Sequence, residues 1–306
     1  LKCKKGVRII NCARGGLIDE EDLIELIKNN HIAGAALDVF LDEPPTNKNL
    51  FGHENLILTP HLGASTSEAQ ENVAIQIAQQ ISDYLNSNVI TNSINVSPIS
   101  IEEAPKLKTF LDLSLKLGKF GGQIIENSIK KINIIFKGEV SNLNTKPLVS
   151  TILSGIFSNK MESVNIINAP SVARNKNIDV ITSFQEEAEN YSSEIFIEIF
   201  TDSESFEYSG TYFAEKSKII SIKKMKVEAE ISTNMLYISN NDKPGFIGSL
   251  GTLLGNKKIN IAFFSLGRTG SGDAISIIEL DQPITEELVN LLDKLPNVKK
   301  VKKLVF

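Results

Sequence analysis

The sequence predicts a multidomain protein in which one α/β segment is followed by two α+β segments. Its 306 residues exceed the roughly 100–150 residues of a typical domain. Apolar strands alternate with a helix over residues 1–65, and a βαββαβ order is readable over residues 230–306. Hydrophobic residues make up 42% of the chain, which is enough to bury more than one core.

Residues 1–65 contain the strands "VRIINCA", "IAGAALDV" and "NLILTPH", with the helix "DEEDLIELIKNN" after the first of them. Apolar, β-branched strands separated by a helix are typical of a parallel sheet that helices cover on both faces. We therefore expect the end of a Rossmann-like sheet, with Asp19 as the cap of the helix. Because the chain begins with Leu and its first strand has no earlier partner, we expect the sequence to be a fragment.

The next segment, residues 66–97, combines a long helix with a linker. A spacing of four predicts one apolar stripe along the helix, and Ser65 with Glu68 forms an S-x-x-E capping box at its start. The linker "VITNSINVSPISIEEAP" is polar and contains prolines. The predicted stripe consists of Ala69, Val73, Ile77, Ile81 and Leu85.

Residues 98–229 predict an independent α+β domain. They begin with the amphipathic helix "LKTFLDLSLKLGKFGGQII" and continue through strand-like stretches such as "KINIIFKGEV" and "SEIFIEIF". "NAPSVARNKNI", residues 168–178, is rich in turn formers, and we interpret it as a structural loop. No catalytic spacing occurs in this segment.

Residues 230–306 follow the order βαββαβ, which is the ferredoxin-like arrangement. The helix "PGFIGSLGTLLGNKK" begins at a proline, and "TEELVNLLDKL" is the second helix. The basic run "KKVKK", residues 299–303, lies in the last strand, where we expect a charged, solvated sheet edge.

Composition excludes several classes of protein. The net charge of −5 disfavours a general nucleic-acid binder, which needs clustered positive charge. Cys3 and Cys12 are too few for a disulfide framework and have no metal-ligand spacing, so we expect a reducing cytoplasm and no structural metal. No run of about 18 apolar residues occurs, and we expect no membrane partner.

The phosphate-binding loop G-x-G-x-x-G, placed between a strand and a helix, is missing from this sequence. "GSGDAI", residues 270–275, leads into a strand and predicts a hairpin turn, whereas "GSLGTLLG" lies inside a predicted helix. We therefore expect any loop that binds phosphates to lie upstream of these residues.

Polar side chains follow each of the first three strands, at the sheet edge where ligands bind in open α/β proteins. They are Arg14, Asp38 with Glu43, and His61. Taken singly, Arg14, Glu43 and His61 have plainer interpretations as a surface arginine, a turn acid and a structural histidine, whereas Asp38 lies in an apolar strand and its charge needs a partner. Together they supply a cation, a carboxylate and a base, the three groups that hydride transfer at a hydroxyl-bearing carbon requires.

The stretches "NCARGGLIDEEDL", "HIAGAALDVFLDEPP" and "LILTPHLGASTSEAQ" resemble consecutive signatures of the D-isomer-specific 2-hydroxyacid dehydrogenases. The resemblance implies that Arg14 holds the substrate carboxylate and carbonyl. It implies that His61 donates and accepts the proton and that Glu43 pairs with it. The implied cofactor is NAD, lined by Cys12, Ala13, Asp38, His61, Gly63 and Ala64.

The resemblance extends downstream and implies the branch of the family that oxidises 3-phosphoglycerate. "LGKFGGQI" and "NAPSVA" resemble its intervening domain, and the last segment resembles an ACT domain, which commonly pairs with a second copy. The implied allosteric effector is L-serine, contacted by Asn240, Asp242 and Asn260, in a cytoplasmic homo-oligomer. Two alternatives stay open: a dehydrogenase for another D-2-hydroxy acid, and an inactive regulatory or oligomerisation module that binds serine.

In terms of this resemblance, the chain divides into four parts. Residues 1–65 are the C-terminal part of the dinucleotide-binding domain, and residues 66–97 are a helix and linker that return to the substrate domain. Residues 98–229 are the intervening regulatory domain, and residues 230–306 are the ACT domain.

Overall fold

The computed structural model describes residues 2–87, 89–95, 99, 102–270 and 272–306. The chain forms two compact units, Leu1–Ser82 and Asp83–Phe306. No helix in the described residues is both long enough and apolar enough to cross a membrane.

The first unit is built on a parallel three-stranded sheet with the strand order β1-β2-β3. These strands are Val7–Asn11, Ile32–Leu37 and Leu56–Leu58, and α1, Glu20–Lys28, connects the first two. Asp19 caps α1, since its side chain accepts a hydrogen bond of 3.0 Å from the Asp22 N–H. The predicted strands, helix and cap are confirmed.

Only one face of this sheet is covered within the unit, contrary to our expectation. Right-handed connections that advance in one direction across a parallel sheet lie on the same face. Accordingly, α1 and the 3₁₀ turn Lys48–Leu50 contribute to one apolar cluster with the strands. On the other face, Ile10 and Ile57 lie in one row with Ala36 and are 75% and 65% exposed.

The long predicted helix is present as α2, Ser67–Ser87, but the expectation about its cap is wrong. Its N-terminus is capped by Thr66, whose hydroxyl accepts a hydrogen bond of 3.1 Å from the Ala69 N–H. Ser65 instead donates to the His61 carbonyl at 3.2 Å, so it is not the cap. The four larger members of the predicted apolar stripe are half or more exposed: Val73, Ile77, Ile81 and Leu85.

In the predicted linker, residues 89–105, residues 89–95, 99 and 102–103 contain no helix or strand, whereas Ala104 and Pro105 begin the next helix; residues 96–98, 100 and 101 lie outside the described residues. After it come the helix α3, the strand β4 and the helices α4 and α5. They span Ala104–Ile124, Ile129–Gly138, Lys146–Ser158 and Ala169–Asn175. The last of these corrects the predicted loop at residues 168–178. Pro170 fits the first turn of α5, and Ala169 and Ala173 are buried beneath it.

Five further strands complete a six-stranded sheet with the order β5-β4-β6-β7-β8-β9. β4 and β5 are parallel, and the other neighbours are antiparallel. An aromatic cluster that includes Phe120, Phe206 and Tyr208 lies in the core of this part. The strands β5 to β9 are Asp179–Gln185, Ser193–Thr201, Ser205–Phe213, Lys216–Ile222 and Met225–Glu230.

The predicted βαββαβ arrangement is confirmed in the last part of the chain, in an antiparallel sheet with the order β11-β12-β10-β13. "GSLGTLLG" lies within a helix as expected, and Ser271 of the predicted turn lies outside the described residues. In chain order the elements are β10 Met235–Asn241, α6 Phe246–Asn256, β11 Ile261–Arg268, β12 Asp273–Leu280, α7 Glu286–Asp293 and β13 Val298–Leu304.

The four-stranded sheet is buried on both faces. On one face Leu236 and Ile238 pack with α6 and α7. On the other face Met235, Tyr237 and Ile277 belong to the same core cluster as the six-stranded sheet. The two sheets therefore share one continuous core, which is consistent with a single compact second unit.

The basic run "KKVKK" lies on an edge strand as predicted, because β13 ends the sheet. However, two of its lysines contact other parts of the chain and are not simply exposed to solvent. Lys300 donates to the carbonyl of Ile124 at 2.8 Å, and Lys302 forms an ion pair with Glu126. These contacts bind β13 to the C-terminal end of α3.

Candidate active site

The carboxyl ends of the three parallel strands lie level with one another. Asn11 is in register with Leu37, and Leu37 with Leu58. The segments that follow the strands, residues 12–16, 38–43 and 59–64, therefore emerge side by side at one sheet edge. This is the edge where the sequence predicts Arg14, Asp38, Glu43 and His61.

Asp38 organises the turn that carries His61. Its Oδ1 accepts hydrogen bonds from the Thr59 hydroxyl at 2.6 Å and the Leu62 N–H at 2.8 Å, and its Oδ2 accepts one from the Gly63 N–H at 3.0 Å. The hydrogen bond from Thr59, followed by that from Leu62, lowers the pKa of the Asp38 carboxyl below its usual value. The carboxylate, 7% exposed, thus has the partners that a buried charge needs.

His61 and Glu43 form a direct pair. The His61 Nδ1 and the Glu43 Oε2 are 2.6 Å apart, and the second Glu43 oxygen accepts from the Phe40 N–H at 3.2 Å. The hydrogen bond with His61, and then that from Phe40, lowers the pKa of Glu43. An ionised Glu43 holds the proton on Nδ1, which orients Nε2 as the nitrogen that can accept a proton.

Arg14 lies in a compact turn that begins at Asn11. The Asn11 side chain accepts from the Ala13 N–H at 3.1 Å and donates to the Arg14 carbonyl at 3.0 Å. The Arg14 guanidinium is exposed and donates through Nη1 to the Ala13 carbonyl at 2.8 Å. The turn therefore presents a charged fork at the same edge as His61.

Gly15 allows the Arg14 turn to lie against the segment after β2. A Cβ at this position would lie 1.7 Å from the Phe40 carbonyl oxygen, which no side chain permits. The absence of a side chain at Gly15 brings the segment that carries Arg14 next to the one that carries Asp38.

Sequence analysis missed Asn11 and Thr59 as contributors to this site. Both are polar residues at the end of an apolar strand, and that position was the signal available for them. Their partners could not be read from the pattern, because the Thr59–Asp38 hydrogen bond joins residues 21 positions apart.

Substitution Asp38→Asn is expected to loosen the turn at residues 59–63 at neutral pH. The amide NH2 group replaces one carboxylate oxygen and cannot accept a hydrogen bond, and the remaining oxygen carries no charge, so at least one of the three donors loses its acceptor. In the unsubstituted chain, the pKa of Asp38 is lower when folded than its usual 3.8. The stabilisation is therefore present above pH 3.8 and is lost as the pH falls through the lowered folded value.

Amide exchange and NMR shifts of Leu62 and Gly63, followed from neutral to acid pH, measure this opening. Asp42→Asn is the control, because Asp42 accepts a hydrogen bond from Thr46 and not from the turn. Equal protection of Leu62 in the Asp38→Asn variant and the unsubstituted chain would contradict the assigned role of Asp38.

Most of the residues predicted to line a cofactor are accessible to solvent. Cys12, Ala13, His61, Gly63 and Ala64 are all exposed at the sheet edge. A Cβ at Gly63 would contact only the Asp38 Oδ2, at 3.4 Å, so the outer side of this turn is open.

The three predicted effector residues are not brought together within one copy of the chain. Asn240 is in register with Ala274, whereas Asn260 precedes Ile261, which pairs with Leu280 at the other end of β12. Asn260 hydrogen-bonds to Asp281 at 2.7 Å, and Asp242 accepts from Arg268 at 2.7 Å. The Asn240 Oδ1 is buried without a hydrogen-bond partner in the described structure.

No group of three His, Cys, Asp or Glu side chains within the described ranges could hold a metal ion. The ionisable side chains of the candidate site are instead bound to one another and to backbone groups, as described above.

Three family models match separate segments of the chain. Residues 1–63 match the NAD-binding domain of D-isomer-specific 2-hydroxyacid dehydrogenases. Residues 106–223 match the intervening domain of D-3-phosphoglycerate dehydrogenase, and residues 234–297 match the ACT domain.

Curated relatives are similar over nearly the whole chain. D-3-phosphoglycerate dehydrogenase of Bacillus subtilis is 34% identical over 98% of this chain and 58% of its own length. The protein of the same name from Methanocaldococcus jannaschii is 35% identical over 97% of this chain and 57% of its own length. The chain thus spans somewhat more than half the length of these relatives.

Among solved structures, a glyoxylate reductase from Paecilomyes thermophila is 30% identical to the matched segment. The match covers 30% of this chain and 28% of that protein, with a TM-score of 0.28.

Proposed function

Because this chain belongs to the D-isomer-specific 2-hydroxyacid dehydrogenases, in the form that carries intervening and ACT domains, we propose that it serves an NAD-dependent oxidation of 3-phosphoglycerate. The product is 3-phosphohydroxypyruvate, the first intermediate of phosphorylated L-serine biosynthesis. The His61–Glu43 pair at the carboxyl edge of the sheet is the observation that carries the dehydrogenase part of the proposal. The names of the relatives support the substrate.

In this proposal His61 is the base. Its Nε2 takes the proton from the C2 hydroxyl of the substrate while Glu43 holds the Nδ1 proton and stabilises the imidazolium that forms. The lowered pKa of Glu43 keeps that carboxylate ionised throughout. The C2–O bond becomes a carbonyl as the C2 hydrogen leaves with its electron pair.

Arg14 binds the substrate carboxylate and stabilises the carbonyl oxygen. A guanidinium fork can hold two oxygens at once, which a lysine cannot do. The exposed position of Arg14 in its turn leaves the fork accessible to a small anion.

The nicotinamide cofactor, when bound, accepts the hydride. Residues 12–13 and 61–64 would contact its nicotinamide end, and Asp38 holds the second of these segments in place. A glycine-rich phosphate loop does not occur in the sequence, and the relatives have additional length. We therefore expect these 306 residues alone to bind NADH weakly and to be inactive.

A substrate panel tests the activity. In a polypeptide that joins these residues to the additional region of a relative, we expect turnover of 3-phosphoglycerate to exceed that of D-lactate, D-glycerate and other D-2-hydroxy acids. Faster turnover of one of those acids would favour the second candidate, a dehydrogenase for that acid.

We further propose that two copies of the chain pair through the ferredoxin-like part and bind L-serine between them. One copy holds Asn240 and Asp242 at one end of its sheet and Asn260 at the other, so a second copy is needed to complete a site from all three. The buried Asn240 Oδ1 has no hydrogen-bond partner among the described residues, and a bound amino acid would supply the donor.

Calorimetric titration of the chain with L-serine and with NADH distinguishes the regulatory role from the catalytic one. We expect a saturable heat with L-serine, absent in the Asn240→Ala variant and retained in the Asn256→Ala control at the end of α6. Heat with L-serine but not with NADH would support the alternative that these residues alone act as a regulatory module. Equal heats in both variants would contradict the serine site.

A further inference from the structure

A cavity of about 340 Å³ lies in the second unit, beside α3 and the first turns of α4. None of its lining residues belongs to the candidate active site or to the proposed serine site. Its volume is near the lower end of the roughly 300–1,000 Å³ found for ligand pockets. It is therefore large enough for a small organic molecule.

One stripe of α3 forms a wall of this cavity. Lys108, Leu111, Asp112 and Leu115 follow the i, i+3, i+4, i+7 spacing of a single helical face. The sheet is contacted by a different face of α3, on which Leu117 is fully buried. The stripe is thus available to face the cavity and not the main core.

The remaining walls come from four other segments, one of which is the C-terminal part of α2 with Tyr84. Pro147, Ser150 and Thr151 line it from α4, and Ile166 lines it from the segment before α5. Ile90 and Ile99, joined by a backbone hydrogen bond of 2.8 Å, close it from the segment between α2 and α3. Most of this lining is aliphatic, which favours a ligand with an apolar body.

The polar groups at the cavity differ in whether they are already paired. Asp112 binds Lys116 at 2.6 Å and accepts from Ser217 at 2.8 Å. The Thr151 hydroxyl donates to the Pro147 carbonyl at 2.8 Å. In contrast, Lys108 forms no ion pair with any residue in the described part of the chain, so the unpaired charge at the cavity is positive.

We propose that this cavity binds a small amphipathic carboxylate. Its aliphatic or aromatic body packs against Leu111, Leu115 and Ile99, and its carboxylate meets the Lys108 ammonium at the rim. Such a ligand would touch both the regulatory part of the chain and the segment that joins it to α2, which makes the cavity a second effector site.

Titration of the full 306-residue chain with hexanoate, hexanol and hexylamine tests the proposal, with binding followed by protein-observed NMR. We expect saturable binding of hexanoate, weaker binding of hexanol and the weakest binding of hexylamine. Lys108→Ala should weaken hexanoate binding roughly fivefold, as for an ion pair at a solvent-accessible rim. It should leave hexanol binding unchanged.

Lys106→Ala is the matched control, because Lys106 is an exposed lysine on the same helix that does not line the cavity. Ser150→Leu places a side chain toward the cavity and should reduce binding of both hexanoate and hexanol. If the Ser150→Leu variant does not fold, Leu111→Phe is used instead and should have the same effect. Absence of saturable hexanoate binding, an equal loss in both lysine variants, or tighter binding of hexylamine would overturn the proposal.

Discussion

His61→Gln is expected to lower kcat about 10²–10⁴-fold in the polypeptide that carries the additional region of the relatives. Glutamine can still form a hydrogen bond with Glu43, but it cannot accept a proton at neutral pH. The loss should therefore fall on the chemical step, with little change in KM. Steady-state reduction of NAD with 3-phosphoglycerate measures both parameters.

His53→Gln is the control for this experiment. His53 lies before β3, and its Nε2 contacts the Asn49 carbonyl at 2.8 Å, so its replacement should leave kcat within about twofold of the original, as expected for a surface substitution. Turnover of the His61→Gln variant at the original rate would exclude His61 as the base. The His61–Glu43 pair would then no longer support the proposed function.

Gly15→Ala is expected to destabilise the first unit by about 3 kcal/mol. The new Cβ would lie 1.7 Å from the Phe40 oxygen and 2.2 Å from its carbonyl carbon. The backbone around Phe40 cannot easily retreat, because the N–H groups of Phe40 and Leu41 are bound to Glu43 and Glu20. The turn that carries Arg14 should therefore separate from its neighbour.

Denaturant unfolding, followed by NMR signals of the first unit, measures this loss. Gly63→Ala is the matched control in the same unit, since its Cβ would make only an ordinary contact of 3.4 Å with Asp38. It should change the free energy of unfolding by no more than about 0.5 kcal/mol. Equal stability of the two variants would mean that the two segments are not in contact in solution.

The sequence was sufficient to predict which strand ends carry the polar residues, because strand boundaries follow from apolar runs and turn formers. The pairing of Glu43 with His61 was implied by the family resemblance, and it agrees with the position of the carboxyl ends of parallel strands at one edge. The sequence could not indicate the hydrogen bond from Thr59 to Asp38, which depends on the register between β2 and β3. Register is a property of the assembled sheet.

Local signals failed where two interpretations compete for the same residues. Ser65 and Thr66 are adjacent hydroxyl residues, and either one could begin α2. The Ser65 hydroxyl is bound to the His61 carbonyl, so the cap falls to Thr66. Similarly, the asparagines and the proline at residues 168–178 suggested a loop, although a proline fits the first turn of a short helix such as α5.

The effector residues show a different limit of sequence reasoning. The family resemblance implied that Asn240, Asp242 and Asn260 contact L-serine in a domain that commonly pairs with a second copy. The strand order places the first two at one end of the sheet and Asn260 at the other. Only the topology reveals that a single copy cannot place all three around one small molecule.

The core shared by the two sheets of the second unit determines whether the ferredoxin-like part can be separated from the rest of the chain. Tyr237 packs edge-on against Phe120 and Phe206, each at a centroid distance of 6.4 Å. Cleavage between β9 and β10 would leave both pieces with a bare aromatic surface. The ferredoxin-like part is therefore not a separable domain in this chain. Fusing it to another protein would require a new partner for that aromatic surface.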